Sequence, residues 1–298
     1  MQRRTDLAVE AREIWNEGGA GALPGVESRE TERDGFNVTT VRITSDEGAR
    51  ALGKPVGTYV TLELDKFIRR EDDAFTLGVR ALASELEKLL RVGDGDSVLV
   101  VGLGNKAITA DAIGPETVRN TMVTSHLVER LPEQFGGFRA VYALESGVLG
   151  TTGIESARVI RAVAGAVRPD RVIVIDALAS RRLTRICRTV QLSDTGIVPG
   201  SGVGNAREGI NSAMLGVPVV AVGVPTVVDA GTLAADIAER AGVSDISFGE
   251  LESFGGGLVV TPKEIDGNVG DISKLVGYAI NLALHKGLTV EDVTMFLG

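Results

Sequence analysis

From Glu71 to Arg91 apolar residues recur once per helical turn, at Phe75, Val79, Leu82, Leu86 and Leu89, with charges between them. That spacing predicts an amphipathic helix. Directly after it, Ser97-Val-Leu-Val-Val-Gly-Leu-Gly104 is short, β-branched and free of charge, as is Arg171-Val-Ile-Val-Ile up to Asp176. Such runs suit strands covered on both faces. Phe36 to Thr44 and Tyr59 to Leu64 instead alternate apolar and polar residues, the pattern of strands with one wetted face, and predict an antiparallel edge or small lobe. Further helices are expected over 115–130, 155–166, 229–241 and 262–284, and strands over 138–144, 185–192, 217–224 and 257–261. This alternation predicts one α/β domain in three layers, with a mostly parallel or mixed sheet flanked by helices. No internal repeat is visible.

Composition narrows the ligand classes. With 298 residues, 44% of them hydrophobic, the chain can bury a large core. A net charge of -9 opposes a phosphate backbone, so nucleic acid is not expected as a direct ligand. The single cysteine, Cys187, falls in an apolar run and reads as a buried, inert thiol. No signal-like core opens the sequence and no run is long enough for a membrane span, so a cytoplasmic protein without membrane contact is expected.

Ligands of open α/β sheets collect beyond the carboxyl ends of the strands. Asp111 and Asp176 both fall there by sequence. Either alone could simply cap a helix or turn; two together favour chemistry. Competing chemistries are poorly supplied. Gly102-Leu-Gly104-Asn-Lys-Ala107 fits a dinucleotide fingerprint superficially, but Gly114-Pro115 delays the helix and no acid follows at the required distance. Only two histidines exist, and structural roles suffice for both: His126 within a helix and His285 near a helix end, where a cation suits the dipole. There is no G-x-S-x-G elbow, H-E-x-x-H or cysteine pair. Carboxylates remain. Two close together cannot both ionise freely, so one can activate water while the other, protonated, polarises a carbonyl. The same pair could hold a divalent metal instead, and Gly200 to Arg207 could cradle the phosphate of a nucleoside or sugar-phosphate phosphorylase.

Seven ordered blocks resemble the spore germination protease family: Arg4-Thr-Asp-Leu-Ala-Val-Glu-Ala11, Val100-Val-Gly-Leu-Gly-Asn105, Thr109-Ala-Asp-Ala-Ile-Gly-Pro115, Ile175-Asp-Ala-Leu-Ala-Ser180, Ser193-Asp-Thr-Gly-Ile-Val-Pro-Gly-Ser-Gly-Val-Gly-Asn205, Val224-Pro-Thr-Val-Val-Asp-Ala230 and Val260-Thr-Pro-Lys-Glu264. The resemblance implies an endopeptidase that initiates degradation of small acid-soluble spore proteins, located in the forespore and spore core and assembled as a homotetramer. It places the two catalytic aspartates at Asp111 and Asp176, with no metal or other cofactor favoured. Gly102, Gly104 and Asn105 would shape the cleft, and the loop with Ser201, Gly202 and Asn205 would line substrate.

The family is made as a zymogen, and its substrates are cut after an acid in a Thr-Glu-apolar-Ala pattern. Thr5-Asp6-Leu7-Ala8 matches that pattern, so self-cleavage between Asp6 and Leu7 is expected. Residues 1–6 would be a propeptide, and 7–298 one α/β protease domain with a small β lobe around 36–64. The stretch from Gly242 to Gly257 is shorter than the family's. A related fold is expected in hydrogenase-maturing endopeptidases.

Overall fold

Alternation within a single strand explains the layered architecture. In a computed structural model, which describes residues 5–17, 23–204, 206–242 and 257–298, Val98 and Val100 of Val98–Leu103 enter one apolar layer, and Leu99 and Val101 enter the other. Successive side chains of a strand point to opposite faces, so a run that is apolar throughout must be covered twice. On one face lie the helices Ala74–Leu90, Ile113–Arg119 and Ile265–Leu284. On the other lies Ser156–Val167. The N-terminal helix Ala8–Glu17 and the helix Asp46–Leu52 share a smaller apolar cluster with Val41, Ile43 and Tyr59.

Among the described residues nine strands form one sheet: β1 Val26–Arg33, β2 Phe36–Ile43, β3 Gly57–Glu63, β4 Val98–Leu103, β5 Val141–Gly147, β6 Arg171–Ala179, β7 Thr189–Ser193, β8 Val219–Asp229 and β9 Val259–Val260. The order is β1-β2-β3-β7-β8-β6-β4-β5, with β9 on β8. Pairs among β8, β6, β4 and β5 are parallel, whereas those from β1 through β7 to β8 are antiparallel. The sheet is therefore mixed, as the sequence pattern predicts, and β1–β3 continue it through β7.

Several boundaries differ from the sequence expectation. The helix expected over 115–130 is two, Ile113–Arg119 and Ser125–Arg130. Between them the buried Asn281 accepts from the Met122 N–H and donates to the Asn120 carbonyl, satisfying the broken backbone from another helix. The strand expected over 185–192 starts at Thr189; Cys187 precedes it at φ 53, its N–H bonded to the Pro225 carbonyl. β6 runs past Asp176 to Ala179, so that aspartate lies within a strand rather than after it. The strand near residue 259 has two residues, and the shortened stretch at 243–256 lies outside the described residues.

Candidate active site

Asp176 sits on β6 opposite Gly223 of β8, and its side chain shares the sheet face of Val172 and Val174. It is buried, 6% exposed, with one backbone N–H, that of Ala177, on Oδ1 at 2.9 Å. Burial, then the charges of Asp111 and Asp6, hold this carboxyl well above the usual carboxylate range. Asp111 arrives from the neighbouring β4 by a loop that folds back on its own strand. Gly104 takes φ 108, and a Cβ there would meet the Asp111 carbonyl oxygen at 2.0 Å; one at Gly102 would meet the Gly114 carbonyl oxygen at 2.4 Å. Only glycines let the loop return so tightly. The Asn105 N–H donates to Asp111 Oδ2 at 2.8 Å. Burial raises Asp111 while this N–H opposes the rise. Thus two raised carboxyls lie together electrostatically, each with one backbone amide on it, and Asp176 is raised the further because it is more deeply buried and feels the charges of Asp111 and Asp6.

The N-terminal segment lies on the same site. Asp6 is tied to the end of β6, its N–H donating to the Ala179 carbonyl at 2.9 Å. Its carboxylate accepts from the Ala179 N–H at 2.9 Å and from Ser201 Oγ at 2.6 Å. Gly202 completes this pocket by having no side chain: a Cβ there would lie 2.2 Å from Asp6 Oδ2. The Thr5 carbonyl accepts from Lys54 Nζ at 3.1 Å, and the Leu7 N–H donates to Thr5 Oγ1 at 3.1 Å. Burial lowers the Lys54 amine from the ordinary lysine range, against the charges of Asp6 and Glu10. Leu7 is fully buried against Val9 and Leu178. Beyond it the fully buried Glu10 accepts from the N–H groups of Arg181 and Arg182, while Arg185 bridges Glu10 and Glu13. A cavity of about 840 Å³ adjoins the segment, with Thr5, Asp6, Lys54, Gln191 and Ser201 in its wall.

The structure thus gathers Asp6, Leu7, Asp111, Asp176, Gly102, Gly104, Asn105, Ser201 and Gly202 into one region. Asn105 serves Asp111 through its backbone, its side chain accepting instead from the Ala107 N–H. Asn205 lies outside the described residues. The histidines are elsewhere. His126 is exposed on its short helix, and His285 is buried, its Nδ1 accepting from the Arg139 N–H. Burial, then the Arg139 charge, lower His285 to about 4, so it is neutral and not the helix-end cation the sequence suggested. Burial pushes the Cys187 thiol up to about 12, which leaves no thiolate at neutral pH. Arg207 is paired with Glu155 at 3.1 Å. Sequence reasoning passed over Gln191 and Lys54; a lone glutamine inside the apolar run Thr189-Val-Gln-Leu-Ser193 is the signal that could have found the first.

Fold and site together define a mixed α/β protein with two neighbouring carboxyls of raised proton affinity and a peptide segment lying against them. A family-wide sequence profile described as germination protease matches residues 4–240. The chain is 42% identical to the germination protease of Clostridium tetani over 100% of both chains. It is 44% identical to that of Caldanaerobacter subterraneus subsp. tengcongensis (99% of this chain, 98% of the relative). For Priestia megaterium the identity is 37%, over 97% of this chain and 95% of the relative. The chain belongs to the germination protease family, and so is a peptidase with protein substrates. Among solved structures, a [NiFe] hydrogenase maturation protease from Thermococcus kodakarensis matches 66% of this chain and 98% of its own at 17% identity, with a TM-score of 0.36. Among the described residues no helix is long and apolar enough to cross a membrane, and no three His, Cys, Asp or Glu side chains are grouped to hold a metal ion.

Proposed function

We propose that the chain is a zymogen endopeptidase that cuts its own Asp6–Leu7 bond and then small acid-soluble spore proteins, with water activated by Asp111 and Asp176. The observation that carries this reading is the seating of Asp6: its carboxylate is gripped by Ser201 and the Ala179 N–H, and its charge is felt at Asp176. A residue so held presents the following peptide bond to the carboxyl pair. An acidic residue before the cut, read by a hydroxyl and an amide, is also what the same pocket would select in a substrate.

In the proposed step Asp111, whose anion the Asn105 amide supports, takes a proton from water. The water oxygen bonds to the Asp6 carbonyl carbon, and the proton on Asp176 passes to the carbonyl oxygen. Collapse breaks the C–N bond, Leu7 nitrogen takes the proton held by Asp111, and the hydroxyl proton returns to Asp176. One water is consumed, leaving a new α-carboxylic acid on Asp6 and an amine on Leu7, which then ionise to carboxylate and ammonium. No metal or other cofactor takes part in this scheme. The family resemblance adds the homotetramer and the spore-core location to the proposal.

N-terminal sequencing after incubation at mildly acidic pH tests it. A new terminus at Leu7 is expected, and an intact Met1 under all conditions overturns the self-cleavage. Activity should survive a chelator; loss that a divalent ion restores would overturn the metal-free step.

A further inference from the structure

Three residues form one row across the seam of the sheet. Gly223 of β8 is registered with Asp176 of β6 on one side and with Gln191 of β7 on the other. Registered residues project to the same face, and adjacent strands lie about 4.8 Å apart, so the Asp176 and Gln191 backbones stand roughly 10 Å apart. Their side chains rise on either side of a position that has none. Leu178 lies over that gap, since a Cβ on Gly223 would come 2.3 Å from Leu178 Cδ1, and Leu178 in turn supports Leu7.

Gln191 is 7% exposed and grips the bond in question from both ends. Its Nε2 donates to the Asp6 carbonyl oxygen at 3.1 Å, and its Oε1 accepts from the Ala8 N–H at 2.7 Å. The amide cannot be turned over without losing both bonds, because a carbonyl only accepts and a backbone N–H only donates. A carboxylate at this position would keep the second bond, repel the carbonyl oxygen and add a charge beside Asp6 and Asp176.

We propose that Gln191 stabilises the transition state of peptide cleavage, donating to the carbonyl oxygen of the residue before the cut while fixing the register of the chain after it. This rests on the reading of Asp6–Leu7 as the scissile bond. As water oxygen bonds to the carbonyl carbon, electron density moves onto the carbonyl oxygen and strengthens the Nε2 hydrogen bond. Gln191 itself gives up no proton; every proton transfer in the step is made by Asp111 or Asp176. Any substrate would be held across the cut in the same way, because the contacts are to backbone and independent of its side chains.

The test uses the full chain and an internally quenched peptide with the sequence of residues 1–17. Gln191→Met removes donor and acceptor and should lower kcat by about 100-fold, the effect of losing one oxyanion donor, while raising KM. Gln191→Glu keeps the acceptor and regains an O–H donor when protonated. Its kcat relative to the unsubstituted enzyme should therefore climb at least tenfold as pH falls, which a merely structural residue would not produce. If Gln191→Met fails to fold, Gln191→Glu carries the test. A Gln191→Met kcat within threefold of the unsubstituted enzyme, or a Gln191→Glu ratio flat with pH, overturns the proposal. An unsubstituted chain that cuts neither itself nor the peptide overturns the scissile-bond reading, and this inference with it.

Discussion

The two halves of the sheet differ in what they contribute. The parallel half, β8-β6-β4-β5, brings the carboxyls: Asp176 from within β6 and Asp111 from the loop after β4. Parallel strands need crossovers, and their loops emerge together at one end, which is how two acids distant in sequence come to share a site. The antiparallel half, β1-β2-β3-β7, together with the segments before and after it, brings grip: Gln191 from β7, Lys54 ahead of β3 and Arg185 ahead of β7. Neutral and cationic donors on that side meet the peptide backbone and the acids of the N-terminal segment. The seam between β7 and β8 is therefore where chemistry and recognition meet, and the glycine there leaves room for Leu178, on which Leu7 packs.

Removing chemistry without grip should give the largest effect. Asp176→Asn should lower peptide hydrolysis by about 10³-fold or more, with Leu7 never appearing as a terminus; near-normal turnover would break the division between the halves. The same variant reports on stability. Because Asp176 has a raised proton affinity in the folded chain, its contribution is fully present below the ordinary Asp value of 3.8 and is lost as pH rises through the folded value. Asparagine carries no such loss. The Tm of Asp176→Asn should gain on that of the unsubstituted protein as pH rises above about 4, and a constant difference would show that the buried carboxyl costs nothing when ionised.

Arg185→Met disturbs grip at a distance by removing the guanidinium that bridges Glu10 and Glu13, which leaves Glu13 paired with Arg182 at 3.4 Å. Breaking a buried pair in this way costs about 3 kcal/mol, read by urea denaturation; a change under about 0.5 kcal/mol would reduce the pair to surface decoration. Burial raises Glu13, but its bonds and charge pairing with Arg185 win and lower it below the ordinary glutamate value. That pairing stabilises above pH 4.5 and fades as pH falls, opposite in sign to Asp176. The smallest effect belongs to the acid pocket. Ser201→Ala removes one charge-assisted bond to Asp6 and should lower kcat/KM for a peptide with an acid before the cut by about tenfold, with little change when that residue is neutral. Equal losses on both peptides would remove Ser201 from acid recognition.

Periodicity made the buried strands legible, because a run such as Val98–Leu103 can be covered only from two sides. Boundaries were less legible where a distant side chain replaced a local hydrogen bond. Asn281 holds open the break between residues 119 and 125, and no local pattern reports a residue 159 to 161 positions away. Asp111 and Asp176 were readable as candidates from residue type and their place beside strand ends. Gln191 and Lys54 were not, since each looks like an ordinary polar residue until the N-terminal segment lies against it.

By itself the sequence determined the layered α/β architecture, the poor supply of Ser-His, cysteine and zinc-binding motifs, and the substrate-like Thr5-Asp6-Leu7-Ala8, because these depend on composition and short-range order. Tertiary structure alone decided which acid is buried, that the loop amide of Asn105 reaches back to Asp111, and that Asp176, Gly223 and Gln191 stand in one row. Registry between strands far apart in sequence, and the loss of water that registry imposes, exist only once the chain has folded.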